Sequence, residues 1–143
     1  DWRRQLKATA IWEIETGQSL TLEAVQAASL TRSRWYARAA ELLGQYDALI
    51  LPTAQVWPFP VAQEYPTEIA GRAMDTYHRW MEVVVPASLI GLPAVAVPAG
   101  FGPGGLPMGL QLIGRHGDDA GLLQLADAWD RATPWSALLP PGA

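Results

Sequence analysis

The chain has 143 residues, 50% of them hydrophobic and 17% charged, with a net charge of −4. That hydrophobic fraction sustains a core and excludes a disordered chain. Ten Lys and Arg against fourteen Asp and Glu, without a basic run, exclude a nucleic-acid partner. With no Cys, disulfide scaffolds, thiol nucleophiles and Cys-ligated zinc are excluded, and two His far apart leave no metal site expected. The sequence shows neither an initiator Met nor a charged-then-apolar stretch, so a signal peptide is expected to be absent or already removed. The start within helix-like sequence suggests a segment of something longer, and the Ala-rich, Arg-over-Lys composition suits a cytoplasmic protein.

In chain order, a helical pattern from about Trp2 to Thr16 is closed by Gly17, a good C-terminal stop. A second helix is expected over Thr21–Leu43, with Ala28, Trp35, Ala39 and Leu42 at helical spacing and Gly44 past its end. It is long for a chain of this size and is expected to project towards something else. Ala48–Leu51 reads as a buried strand. Pro52–Pro66 has no periodicity, which marks a functional or interfacial loop. A third helix is expected over Thr67–Val84, then strands at Ala94–Val97 and Met108–Ile113 joined through Gly100–Gly105. Asp118 or Asp119 caps a last helix with Leu122, Leu123, Ala126 and Trp129 on one stripe. The organisation is a single segment over 1–143: a helical lead-in at 1–44, a sheet-forming core at 45–135 and a tail at 136–143 lying along the surface.

No charge falls between Glu82 and Arg115, but Pro86, Pro93, Pro98, Pro103 and Pro107 break that run, so it is a sheet core and not a membrane span. Ala94-Val95-Ala96-Val97 does not alternate, which asks for cover on both sheet faces. The chain supplies few helices to provide it. Self-association, as a homo-oligomer, follows as an expectation.

The candidate chemistry is sparse. Gly100, Gly102 and Gly105 match G-x-G-x-x-G, but a strand follows and Pro103 removes a donor, so they read as a flexible strand connection. His116, Asp118 and Asp119 serve capping better than metal binding. Asp75 and His78 at i, i+3 could pair on the third helix, but an exposed helix face with Arg79 and Glu82 nearby is the preferred reading. No serine lies in a nucleophile elbow; Ser88 reads as buried and bound to backbone at a tight turn. Lys7 lies among exposed-looking neighbours. Gln111, polar in an apolar strand, should bind backbone.

Three blocks in order carry a resemblance: Tyr46-Asp47-Ala48-Leu49-Ile50-Leu51-Pro52-Thr53, Gly91-Leu92-Pro93-Ala94-Val95-Ala96-Val97-Pro98-Ala99-Gly100-Phe101, and Gly105-Leu106-Pro107-Met108-Gly109-Leu110-Gln111-Leu112-Ile113-Gly114-Arg115. Over about Leu22–Trp135 the chain resembles the C-terminal part of the amidase signature family. The resemblance implies an α/β fold around a mixed sheet, incomplete here. It also implies cleavage of a carboxamide to acid and ammonia through an acyl-serine, without metal or organic cofactor.

The family's two catalytic serines belong to a Gly/Ser-rich segment preceded by a lysine. This sequence has neither, so no catalytic residue carries over and the chain alone is expected to be inactive. The expected partners are the missing N-terminal half of the same protein and a small-molecule amide. A non-catalytic self-associating module, or the A subunit of a glutamine-dependent tRNA amidotransferase, are the alternatives. The resemblance further implies that glutamine-using members place an acid ten residues before the Gly of Gly-Leu-Pro. Met81 stands there, beside Trp80; these two and Thr53 are the expected substrate-side residues, suited to an uncharged acyl group.

Overall fold

A computed structural model describes residues 2–138. A 3₁₀ turn at Trp2–Gln5 leads into α1 (Ala8–Ser19) and α2 (Leu22–Leu43). Helix α1 runs through Gly17 and ends with Leu20 as its cap, so the expected stop at Gly17 is corrected: a single glycine in the last turn is tolerated at a small cost. Thr21 caps α2 by accepting from the Ala24 N–H at 3.1 Å, which satisfies one of the free donors of the first turn. Of the 22 residues of α2, only Ala39 and Leu43 are buried.

The three longer strands are β1 (Leu49–Pro52), β4 (Ala94–Phe101) and β5 (Pro107–Ile113), in the order β1-β5-β4 with both pairings antiparallel. The first alternates half-buried and exposed residues, so the fully buried strand expected there is corrected. Between β1 and β4 the expected third helix is overturned. Residues 68–73 form a two-stranded hairpin, β2 (Glu68–Ile69) and β3 (Arg72–Ala73), closed by the Met74 N–H donating to the Thr67 carbonyl at 2.8 Å. Its turn residues Ala70 and Gly71 both have positive φ, 50° and 78°, the geometry of a two-residue hairpin loop. Helix resumes only as a 3₁₀ turn at Arg79–Val84 and the short α3 (Val85–Leu89), with Pro86 in the first turn, where it costs no hydrogen bond.

On one sheet face, Val97 and Leu112 form the core with Leu122 of α4 (Asp119–Ala132), while Val95, Leu110, Ala126 and Trp129 pack around them. Asp118 is the residue that caps α4, accepting from the Gly121 N–H at 3.1 Å. Leu123, expected on the buried stripe, is 62% exposed; helical rotation carries it off the face that Leu122 presents. The other face is open along β4, where Ala94, Ala96 and Pro98 are exposed. A 3₁₀ turn at Trp135–Ala137 follows. Of the expected tail, residues 139–143 lie outside the described residues.

Long side chains tie these layers through polar atoms. The Arg115 guanidinium donates to the Leu43 carbonyl at 2.6 Å and the Tyr46 carbonyl at 3.3 Å, satisfying the end of α2 with a cation where the helix dipole favours one. The Trp35 indole donates to the Pro86 carbonyl at 2.8 Å and the Trp129 indole to the Pro98 carbonyl at 2.9 Å. Gln111 is 6% exposed, and its amide donates to the Pro52 carbonyl at 2.9 Å and the Val83 carbonyl at 3.0 Å.

The accessible surface is 10161 Å², against about 7,200 Å² for a compact monomer of this mass. Exposed apolar side chains on α2, among them Leu22 at 74% and Leu30 at 59%, contribute to that excess. Among the described residues no helix is long and apolar enough to cross a membrane.

Two outcomes follow from this packing. Replacing Gln111 with Leu keeps the volume but strands two backbone carbonyls, and should lower the unfolding free energy by about 2–4 kcal/mol in a urea titration. The 143-residue chain by itself should self-associate at micromolar concentration; a light-scattering mass of 15.5 kDa with little hydrophobic-dye binding would contradict this.

Candidate functional site

The loop after β1 folds back over the open end of the sheet. Thr53 begins it: its N–H and its hydroxyl both donate to the Gly109 carbonyl, each at 3.0 Å. That double contact requires glycine at 109. A Cβ there would stand 2.8 Å from Thr53 Oγ1 and 3.2 Å from its Cγ2, so Thr53 would have to turn its hydroxyl away from the Gly109 carbonyl. Further along, the Gln55 amide donates to the Arg79 carbonyl at 2.8 Å, pinning the loop to the start of the 3₁₀ turn.

Between loop, 3₁₀ turn and sheet lies a cavity of about 570 Å³, lined by Thr53, Trp57, Phe59, Trp80, Ala96 and Met108 among others and by no charged residue. Trp80 is held edge-on by Phe59, with centroids 5.7 Å apart, and by Tyr77 at 6.1 Å, a favourable arrangement of ring quadrupoles. Its indole nitrogen is buried without a hydrogen-bond partner.

The structure thus brings two of the expected residues, Thr53 and Trp80, to one cavity. Met81, the next residue of the turn, is half-buried and outside the lining. Trp57 and Phe59 were not singled out from sequence, because a loop without periodicity gives no sign of which side chains turn inward.

The charged groups stand apart from this cleft. Glu82 accepts from Arg79 at 3.0 Å and from Arg72 at 3.3 Å. Its carboxylate is committed to these ion pairs. Asp75 is bonded by Arg79 at 2.5 Å, and that bond holds its carboxyl below the usual value. Asp75 and His78 are both exposed, as preferred, but the helix expected to carry them is corrected: neither residue lies in one, and His78 contacts Glu13.

Ser88 is corrected likewise. It is exposed on α3, its hydroxyl donating to the Val84 carbonyl at 3.4 Å. Lys7 is exposed at the N-terminus of α1. Among the described residues no group of three His, Cys, Asp or Glu could hold a metal ion; His116 packs edge-on against Tyr36 while Asp118 caps α4.

The described residues thus form an α/β scaffold with a charge-free cleft at one end of its sheet. A profile of the Amidase family matches residues 3–123, and the chain belongs to that family. The A chain of the glutamyl-tRNA(Gln) amidotransferase of Myxococcus xanthus is 41% identical over 87 residues, 61% of this chain and 17% of that protein. The crystal structure of a bacterial aryl acylamidase of the amidase signature family superposes with a TM-score of 0.84 at 25% identity, covering 94% of this chain and 28% of that one. The corresponding glutamyl-tRNA(Gln) amidotransferase component of Thermotoga maritima gives a TM-score of 0.69 at 28% identity, covering 93% and 27%. The chain therefore spans under a fifth of the length of the curated relatives it matches.

The close seat of Thr53 on Gly109 can be tested directly. Gly109→Ala should displace Thr53 and cost about 1–3 kcal/mol. Thermal unfolding of the variant checks it, with Thr53→Ala in the same background restoring part of the loss.

Proposed function

We propose that this chain is the C-terminal, substrate-side segment of an amide hydrolase. The reaction is R–CO–NH₂ + H₂O giving R–COOH + NH₃, through an acyl-serine. The serine nucleophile, its partner serine and the lysine would come from the remainder of the same polypeptide. That remainder would also cover the open sheet face and the exposed apolar side of α2. Covering them removes the excess apolar surface that the chain carries alone.

The observation that carries this reading is the cleft at Thr53 and Trp80, apolar and without a charged lining residue. A substrate bearing an α-ammonium needs a fixed anion. Met81 supplies none, and Glu82 is engaged by Arg72 and Arg79. Trp80 therefore suits an uncharged acyl group, beside Thr53, whose hydroxyl proton stays with Gly109. A second reading, the A subunit of a glutamine-dependent amidotransferase, is favoured by the names of the curated relatives.

The full-length enzyme separates the two. It should cleave uncharged aliphatic or aryl amides with a kcat/KM at least about tenfold above that for glutamine. A wild-type preference for glutamine would overturn the hydrolase reading in favour of the amidotransferase.

A further inference from the structure

The cleft has an outer wall that the family resemblance did not indicate. Trp57 is 45% exposed, yet one edge of its indole is seated closely. A Cβ built on Gly102 would stand 2.3 Å from its Cη2 and 2.4 Å from its Cζ3, far inside carbon–carbon contact. Gly102 has φ −99° and ψ −159°, extended backbone directly before Pro103, a position where a Cβ narrows the allowed ψ. Its N–H donates to the Leu106 carbonyl at 2.9 Å, a bond that alanine would keep. A side chain at 102 would therefore meet the indole, beside the restriction that Pro103 imposes. Gly104 and Gly105, two and three residues on, have φ +74° and +70° and are required by the backbone itself.

We propose that Trp57, seated on Gly102, is a specificity-determining residue, and that the cleft it walls binds an uncharged aromatic ring of the amide substrate. Three observations support this. The volume of about 570 Å³ lies within the range of small-ligand sites. Two indoles, Trp57 and Trp80, offer flat apolar surface, and Met108 adds a polarizable sulfur suited to a ring edge. No charged side chain lines the space, and the Thr53 hydroxyl is spent on Gly109, so an ionised substituent would be desolvated without a partner.

The reaction rests on the amide hydrolase reading; the binding does not. The ring could belong to the acyl side, or to the amine side if the enzyme also accepts a substituted amide, R–CO–NH–R′ + H₂O giving R–COOH + R′–NH₂. Gly102 is a positioning residue: the three atoms nearest to a methyl group there all belong to the Trp57 ring, so Gly102→Ala should tip the indole outward.

The test uses the full-length enzyme with 3-phenylpropionamide (ring on the acyl side), acetanilide (ring on the amine side) and propionamide. Trp57→Ala and Gly102→Ala should each raise KM for at least one ring-bearing amide about tenfold and leave propionamide within about twofold, while Trp57→Phe stays near wild type. Which of the two amides responds assigns the side. Unchanged KM for both, or an equal rise for propionamide, would overturn the proposal. Circular dichroism and melting of Gly102→Ala separate a moved indole from a lost fold. If the wild type cleaves no amide, the hydrolase reading falls. Calorimetric titration of both ring-bearing amides into wild type and Gly102→Ala then still decides the binding, equal affinities overturning it.

Discussion

The cleft end of this molecule is held together by the Gln111 amide. It stands in the central strand of the three-stranded sheet, and its two donors reach the Pro52 carbonyl at the end of β1 and the Val83 carbonyl in the 3₁₀ turn. An apolar residue at 111 would leave that join without polar partners. Because Trp80 lies on the same 3₁₀ turn as Val83, and Thr53 follows Pro52, one side chain sets the separation of both walls of the cleft. The site is thus positioned from the core, on elements too short to hold their own geometry.

The sheet is asymmetric in its cover, and this accounts for where the site lies. Helix α4 seals one face through Leu122, Ala126 and Trp129. The other face is closed over Gln111 and remains open at Ala96 and Pro98, where the cleft begins. A surface this apolar, together with α2 exposed along most of its length, is the kind of area that two parts of one domain bury between them. In the amide hydrolase reading the cleft sits at that junction, so groups from the rest of the polypeptide could reach a substrate held against Trp57 and Trp80.

Glycines and aromatic rings divide the precision work at the edge of this cleft. Gly109 lets Thr53 bond its carbonyl twice, Gly102 receives the Trp57 indole, and Gly100 receives Trp135 with ring carbons 3.0–3.3 Å from an added Cβ. The literal G-x-G-x-x-G string carries no nucleotide chemistry in this context. Two of its glycines are landing places for indoles, and the third is a turn residue.

Elements with strong local signals were legible in the chain before any folding was considered. The apolar spacing of α2 and its start near Thr21, a capping acid at Asp118 or Asp119, the runs that became β1, β4 and β5, and the backbone-binding role of Gln111 all belong here, because capping and periodicity act within a few residues. The ordered blocks around Gly91-Leu92-Pro93 and Met108-Gly109 carried the family. Between 53 and 84 the outcome was settled by long-range packing instead. There Ala70 and Gly71 turn a hairpin where helix was expected, since residues at positive φ end a helix whatever the neighbouring propensities favour. Trp57 and Phe59 enter the cleft for reasons written elsewhere in the chain: the absence of a side chain at Gly102 and the edge of the Trp80 ring. Such contacts join residues far apart in sequence, and no local pattern encodes them.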